Sequence, residues 1–170
     1  LVSSRGLGDV YKRQIIFCDI KTNLGDNYAR EVKINELKET SDIISLHTNL
    51  NQSSRHIIDK QFIDDCKKSF CLINTARGEC ISNHDLIYGL ESDKIIGAGL
   101  DVLENENKDF EGIAVDQNLD KLKKFDNVIL TPHIAGWSKE SKVKLAQITV
   151  SKINCLLYTS DAADDVLCGG

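Results

Sequence analysis

The sequence lacks several features that would assign it to common classes of protein. No apolar run approaches the ~20 residues of a membrane-spanning helix, so no membrane partner is expected. The formal net charge of −5 argues against nucleic acid as a partner, because phosphate contacts require a basic surface. Residues 1–8 contain no apolar signal segment, which predicts a cytoplasmic location.

Cysteine is present but shows no pattern that would indicate a function. Cys18, Cys66, Cys71 and Cys80 form no C-x-x-C pair, so no metal site is expected. Six cysteines in 170 residues also do not make a disulfide framework. The sequence therefore predicts free thiols in a reducing compartment.

The two ends of the chain share one inverted DNA repeat. Residues 9–14 can be encoded as GAT GTG TAT AAG AGA CAG, and the reverse complement, in another frame, encodes residues 155–160. This repeat resembles the transposon adapter used in sequencing libraries. We therefore predict that residues 1–14 and 155–170 are adapter-derived and non-native, and that residues 15–154 are a partial natural domain.

Within residues 15–154, short apolar runs alternate with helix-length amphipathic segments, as is typical of an α/β domain with a parallel sheet. The runs are continuously apolar, which indicates strands covered by helices on both faces. The predicted strands are residues 15–18, 42–46, 70–74, 95–102 and 128–130. The predicted helices are residues 59–66, 82–90 (opened by an S-x-x-D capping box) and 139–154, and the acidic segment 104–124 is a long loop with one helical turn.

Polar residues follow these strands repeatedly, where ligands bind in doubly wound sheets. They are Asp19, His47, residues 74–78, Asp101 and residues 132–133. A carboxylate at Asp19 can accept hydrogen bonds from adenosine ribose hydroxyls and repels a 2′-phosphate, which favours NAD over NADP. The G-x-G-x-x-G loop that would precede this strand is missing, because Gly6 and Gly8 lie in the adapter-derived segment.

Three segments make the pattern specific: LINTARG at residues 72–78, GAGLDVLENE at 97–106 and LTPHIAGW at 130–137. Together with SLHT at 45–48 they resemble the signatures of the D-isomer-specific 2-hydroxyacid dehydrogenases, across essentially all of residues 15–154. The resemblance implies an incomplete Rossmann-like doubly wound parallel sheet that lacks its first strand and Gly-rich loop. It also implies an intact homodimer that transfers hydride between NAD and a D-2-hydroxy or 2-keto acid of phosphoglycerate or hydroxypyruvate type.

The chemistry of individual residues agrees with this resemblance. Arg77 can hold a substrate carboxylate through two parallel N–H bonds, which a lysine cannot match. His133, fixed by Pro132, is suited to acid–base work near neutral pH. These two residues are the predicted substrate anchor and proton donor.

The resemblance supplies the third catalytic position. The family's catalytic acid lies five residues after the aspartate of its second signature, and five residues after Asp101 is Glu106, which would orient the His133 ring. Asn107 stands where the family usually has proline, so Glu104 remains the alternative.

The remaining assignments concern the cofactor. The resemblance places residues along the NAD site at Asp19, Thr75, Ala76, Arg77, Asp101, His133, Ile134, Ala135 and Gly136. His56 and His84 have no such support and are expected to be solvated.

Two other functions remain open. The same fold can serve as an NAD-sensing scaffold or corepressor. Alternatively, the polypeptide as it stands is a truncated chain without activity of its own.

Overall fold

The computed structural model describes residues 14–104 and 117–158, with side chains described up to residue 155. The chain divides into two compact units, Leu1–His133 and Ile134–Gly170. The predicted non-native segments lie almost wholly outside the described residues, so their origin stays a prediction.

The described residues of the first unit form six short strands, all paired in parallel. They are β1 (Ile15–Phe17), β2 (Ala29–Glu31), β3 (Ile43–Leu46), β4 (Phe70–Asn74), β5 (Ile95–Leu100) and β6 (Val128–Leu130). Strands β1 and β2 form a two-stranded sheet, and the other four form a second sheet in the order β3-β4-β5-β6. In the second sheet the chain order equals the spatial order, so all four carboxyl ends meet at one edge.

Within residues 14–104 and 117–133, four α-helices accompany the strands: α1 (Ile34–Thr40), α2 (Lys60–Asp65), α3 (Asn83–Glu91) and α4 (Gln117–Leu122). The predicted capping box begins α3, where the Ser82 hydroxyl accepts a hydrogen bond from Asp85 N. Asp59 caps α2 in the same way by accepting from Phe62 N. These caps satisfy N–H groups that would otherwise lack a partner in the first turn.

One face of the four-stranded sheet is buried beneath these helices. Its side chains alternate along each strand, and in β5 a bulge opposite Phe70 and Cys71 keeps Ile95, Ala98 and Leu100 all buried. The core joins the strands to residues from every helix of the unit: Leu37, Phe62, Ile63, Leu86, Ile87, Leu90 and Leu122.

The opposite face of the same sheet carries exposed apolar side chains. Ile43, Ile73 and Ile129 are 53%, 38% and 69% exposed, and Cys71 is partly buried on the same side. Coverage of both faces was expected from the apolar runs, whereas the described helices α1–α4 pack their apolar residues into the core on one face. The strands therefore alternate between buried and exposed positions instead of being buried throughout.

The second unit contains α5 (Lys139–Tyr158), a 20-residue helix. It begins at the predicted residue but continues four residues past the predicted end at 154. None of the described helices combines the length and apolar character that crossing a membrane requires.

The bounds of the strands agree with the prediction where the apolar runs are clearest. Strands β4 and β6 have the predicted bounds, and the predicted helical turn in the acidic segment is α4. Strand β2 and helix α1 were not predicted, and β5 ends at Leu100 instead of 102. Residues 105–116 of the predicted loop lie outside the described residues.

The cysteines differ in accessibility. Cys66, Cys71 and Cys80 have free thiols, as expected, but Cys155 takes part in a disulfide, which corrects the expectation for that residue. Burial raises the pKa of the Cys66 thiol to about 11 and also raises the pKa of the Cys80 thiol. Both thiols therefore remain protonated near neutral pH.

The two faces of the sheet can be tested by thiol alkylation at pH 8 with peptide mapping. Cys71 on the open face should react, whereas Cys66 and Cys80 should react slower by about tenfold or more, because only an accessible thiolate attacks the reagent. Denaturation in urea should make all three equally reactive. Equal rates in the folded protein would contradict the one-sided core.

Candidate functional site

Asn74 organises the turn that follows β4. Its side chain is fully buried at the carboxyl end of the strand. The amide oxygen accepts a hydrogen bond from Ala76 N at 3.1 Å, and the amide nitrogen donates to Arg77 O at 3.0 Å. One side chain thus fixes the backbone on both sides of Ala76.

This turn fixes the backbone of Arg77, and the Arg77 side chain is exposed. Its carbonyl accepts from the Asn74 amide and from Cys80 N, which opens the short 3-10 helix Gly78–Cys80. One guanidinium nitrogen, Nη1, donates to Ala76 O at 2.6 Å. The other guanidinium donors can face a bound anion.

Asp101, just beyond β5, joins the ends of three strands. Its backbone N–H donates to Asn74 O at 2.9 Å, and its carbonyl accepts from His133 N at 2.9 Å. Its buried carboxylate accepts from the Thr131 hydroxyl at 2.5 Å. The segments that carry Arg77 and His133 are therefore both tied to one residue.

His133 has a strained backbone, with φ at 53° in a region that side-chain-bearing residues rarely adopt. Its N–H is shared between the carbonyls of Asp101 and Thr131, and the residue is partly buried. Strain of this kind costs about 1–3 kcal/mol and persists where surrounding contacts impose it, commonly at functional sites. The geometry holds the imidazole at the carboxyl edge of the sheet.

Asp19 lies at the carboxyl end of β1, in the two-stranded sheet, and is exposed. Its Oδ1 accepts from Lys21 N at 2.9 Å, which orients the carboxylate. A carboxylate at this position can receive hydroxyl donors such as those of a ribose.

Glu104 is the alternative candidate for the acid that orients His133, and the structure places it beside another histidine. Its Oε1 lies 2.8 Å from His56 Nε2, and its Oε2 accepts from Asn83 N at 2.9 Å. The structure therefore gives Glu104 a different histidine. It also corrects the expectation that His56 is simply solvated, whereas the His84 side chain is 86% exposed as expected.

The other predicted residues are distributed as follows. Thr75 is exposed at the end of β4, and His47, after β3, lies 2.9 Å from the Ser45 hydroxyl. Partial burial lowers the pKa of the His47 imidazole, which favours its neutral form. Glu106 lies outside the described residues, and Ile134, Ala135 and Gly136 are exposed residues of the second unit.

The family profile described as "D-isomer specific 2-hydroxyacid dehydrogenase, NAD binding domain" matches residues 10–135. The chain belongs to this family. The matched part is the NAD-binding domain of these dehydrogenases.

Individual relatives agree with the family assignment. An aromatic 2-oxoacid reductase of Clostridium sporogenes is 33% identical over 84% of this chain and 44% of its own length. A D-specific alpha-keto acid dehydrogenase of Enterococcus faecium is 36% identical over 75% of this chain and 42% of its own. The chain thus spans less than half the length of these curated relatives.

A solved structure gives the same result for the fold. The NAD-complexed D-isomer specific 2-hydroxyacid dehydrogenase of Lactobacillus delbrueckii ssp. bulgaricus matches with a TM-score of 0.76 and 29% identity, over 88% of this chain and 47% of that one. The four-stranded parallel sheet and its helices are therefore a Rossmann-like dehydrogenase domain, and NAD is its cofactor.

The residues of this dehydrogenase domain fit NAD in part. Asp19 presents an oriented, exposed carboxylate for the adenosine ribose, and the Ala76 and Asp101 backbone lies along the edge where the nicotinamide end would bind. The sequence contains no G-x-G-x-x-G segment to surround the pyrophosphate. The residues present could therefore contact the adenosine ribose and the nicotinamide end of NAD.

Two residues of this site were not assigned a role from the sequence. Asn74 and Thr131 lie within the quoted signatures, yet neither was predicted to act. The available signal was a polar residue at or directly after the end of an apolar strand. Asn74 is buried there and hydrogen-bonds the turn, and the Thr131 hydroxyl donates to the Asp101 carboxylate.

The Thr131–Asp101 contact can be tested by substitution in this chain. Thr131→Val should lower the free energy of unfolding by about 1–3 kcal/mol, because a buried carboxylate loses a hydroxyl donor. Thr131→Ser keeps the hydroxyl and is the matched control. Urea unfolding measures both, and equal stability of the two variants would contradict a structural role for this bond.

Proposed function

We propose that this domain belongs to an enzyme that interconverts a D-2-hydroxy acid and its 2-oxo acid. The proposal rests on the backbone hydrogen bonds of Asp101. They hold Asn74, which fixes the Arg77 turn, and His133. A cation and an imidazole whose backbones are held by one residue at the same sheet edge suit a substrate that has a carboxylate next to a carbonyl. Family membership supports the same reaction class.

The residues divide the reaction between them. Arg77 binds the substrate carboxylate through its guanidinium fork and so orients the neighbouring carbonyl. Bound NADH supplies the hydride that reduces the carbonyl carbon. His133 donates a proton to the carbonyl oxygen, so that the products are the 2-hydroxy acid, NAD and a neutral imidazole.

The reverse reaction uses the same groups. Neutral His133 accepts the hydroxyl proton, and NAD, when bound, would accept the hydride from the substrate carbon. In this proposal Glu106 accepts the second imidazole N–H and stabilises the protonated ring. Both oxygens of Glu104 are engaged by His56 and Asn83, which favours Glu106 over Glu104 for that role.

The names of the relatives bear on the substrate. Two of the relatives are an aromatic 2-oxoacid reductase and a D-specific alpha-keto acid dehydrogenase. Simple and aromatic 2-oxo acids are therefore the first substrates to assay. The phosphoglycerate or hydroxypyruvate type, the homodimer and the cytoplasmic location stay predictions.

The other candidate functions make different predictions. An NAD-sensing scaffold would bind NADH tightly and yet reduce no 2-oxo acid in a broad panel at any pH. A truncated chain without activity would fold but turn over nothing, while its full-length counterpart would be active.

Substitution of Arg77 in the full-length dehydrogenase tests the substrate anchor. Arg77→Gln should raise KM for the 2-oxo acid by roughly a hundredfold, because a charge-assisted pair is lost. The Kd for NADH should stay unchanged. Arg77→Lys keeps the charge without the planar fork and should be intermediate. An unchanged KM in Arg77→Gln would exclude Arg77 as the anchor.

The 170-residue chain itself should bind NAD weakly, with Kd above roughly 1 mM, and should catalyse no reduction. It contains no glycine loop whose N–H groups could bind the pyrophosphate at a helix N-terminus. Isothermal titration calorimetry measures the affinity. A micromolar Kd would show that the loop is not required.

A further inference from the structure

Glu104 connects two segments that are distant in sequence. Its two carboxylate oxygens engage His56 Nε2 at 2.8 Å and Asn83 N at 2.9 Å. The Glu104 side chain is 19% exposed and that of His56 is 40% exposed. A mostly buried carboxylate with a partner for each oxygen is held in one position.

The segment of His56 is hydrogen-bonded to the segment that follows Arg77. His56 N donates to Glu79 O at 2.8 Å, and Ile58 N donates to Cys80 O at 3.1 Å. Ile58 and Ile81 also form a parallel β-bridge. The residues just beyond Arg77 are thus paired with the loop that carries His56.

Gly78, directly after Arg77, packs against the segment of Glu104 itself. A Cβ atom at Gly78 would overlap the carbonyl of Leu103 and would lie 2.6 Å from Glu104 N. The absence of a side chain at Gly78 allows the two backbones to touch. The position of the 103–104 backbone therefore sets the position of the residue next to Arg77.

We propose that Glu104 is a positioning residue for Arg77. By joining His56 to the start of α3, it fixes the Leu103–Glu104 backbone on which Gly78 rests. Asn74 fixes the Arg77 backbone from the amino-terminal side, and Glu104 does so from the carboxyl-terminal side. This inference rests on the proposed function, in which Arg77 binds the substrate carboxylate.

Kinetics of the full-length dehydrogenase test the proposal. Glu104→Ala should raise KM for the 2-oxo acid by roughly ten- to a hundredfold, as small displacements of a binding group do, and should leave the Kd for NADH unchanged. Glu104→Gln should restore a KM near that of the wild type. Its amide oxygen can accept from Asn83 N, and its amide N–H can donate to a neutral His56 ring.

A double-substitution cycle separates positioning from general damage. In an Arg77→Gln background, Glu104→Ala should have little further effect on KM, because both substitutions act through one group. His56→Gln should reproduce part of the Glu104→Ala effect. The matched control is His84→Gln, which alters an exposed histidine beside Asp85 on α3 and should change nothing.

Amide hydrogen exchange in the 170-residue chain gives a readout that is independent of catalysis. Glu104→Ala should speed exchange at the N–H groups of Asn83, His56 and Cys80 by about tenfold or more, because their hydrogen bonds are lost or loosened. Exchange at Leu72 in the central strand β4 should stay slow. Glu104→Gln should restore protection.

The outcomes separate this inference from the proposed function. A full-length enzyme that reduces no 2-oxo acid overturns the proposed function, while exchange at Cys80 still decides whether Glu104 fixes the Arg77 segment. An active enzyme in which Glu104→Ala leaves KM unchanged, or in which the two substitutions add fully, overturns the positioning role.

Discussion

The carboxyl edge of the sheet depends on the hydrogen bonds of Asp101. A buried carboxylate is costly unless it has donors, and here the Thr131 hydroxyl supplies one. The main chain of the same residue binds Asn74 O on one side and His133 N on the other. Displacement of Asp101 would therefore move the segments that carry Arg77 and His133, which makes this residue the common support of the candidate site.

The site combines a rigid main chain with an accessible side chain. Asn74 closes the turn before Arg77, and neighbouring carbonyls hold His133 in its left-handed conformation. The Arg77 guanidinium remains at the surface. Such preorganisation reduces the entropy lost when a small anion binds, because only the ligand and one side chain need to be ordered.

The sequence predicted those parts of the fold whose signal is local. Strands β4 and β6 are apolar runs bounded by turn residues, and Ser82 begins α3 as its capping box predicts. Strand β2 is only Ala-Arg-Glu, and α1 buries a single residue, Leu37, so neither has a clear apolar period. The His56–Glu104 contact joins residues 48 positions apart, which spacing alone does not indicate.

The sheet face on which the described helices α1–α4 do not pack has a consequence for how the polypeptide behaves in solution. Ile43, Ile73 and Ile129 lie on strands β3, β4 and β6 of this sheet and present branched apolar side chains to water. Patches of this kind are the surfaces by which proteins associate or aggregate. A surface that covers these three side chains would therefore keep the folded chain from associating with other chains through this face.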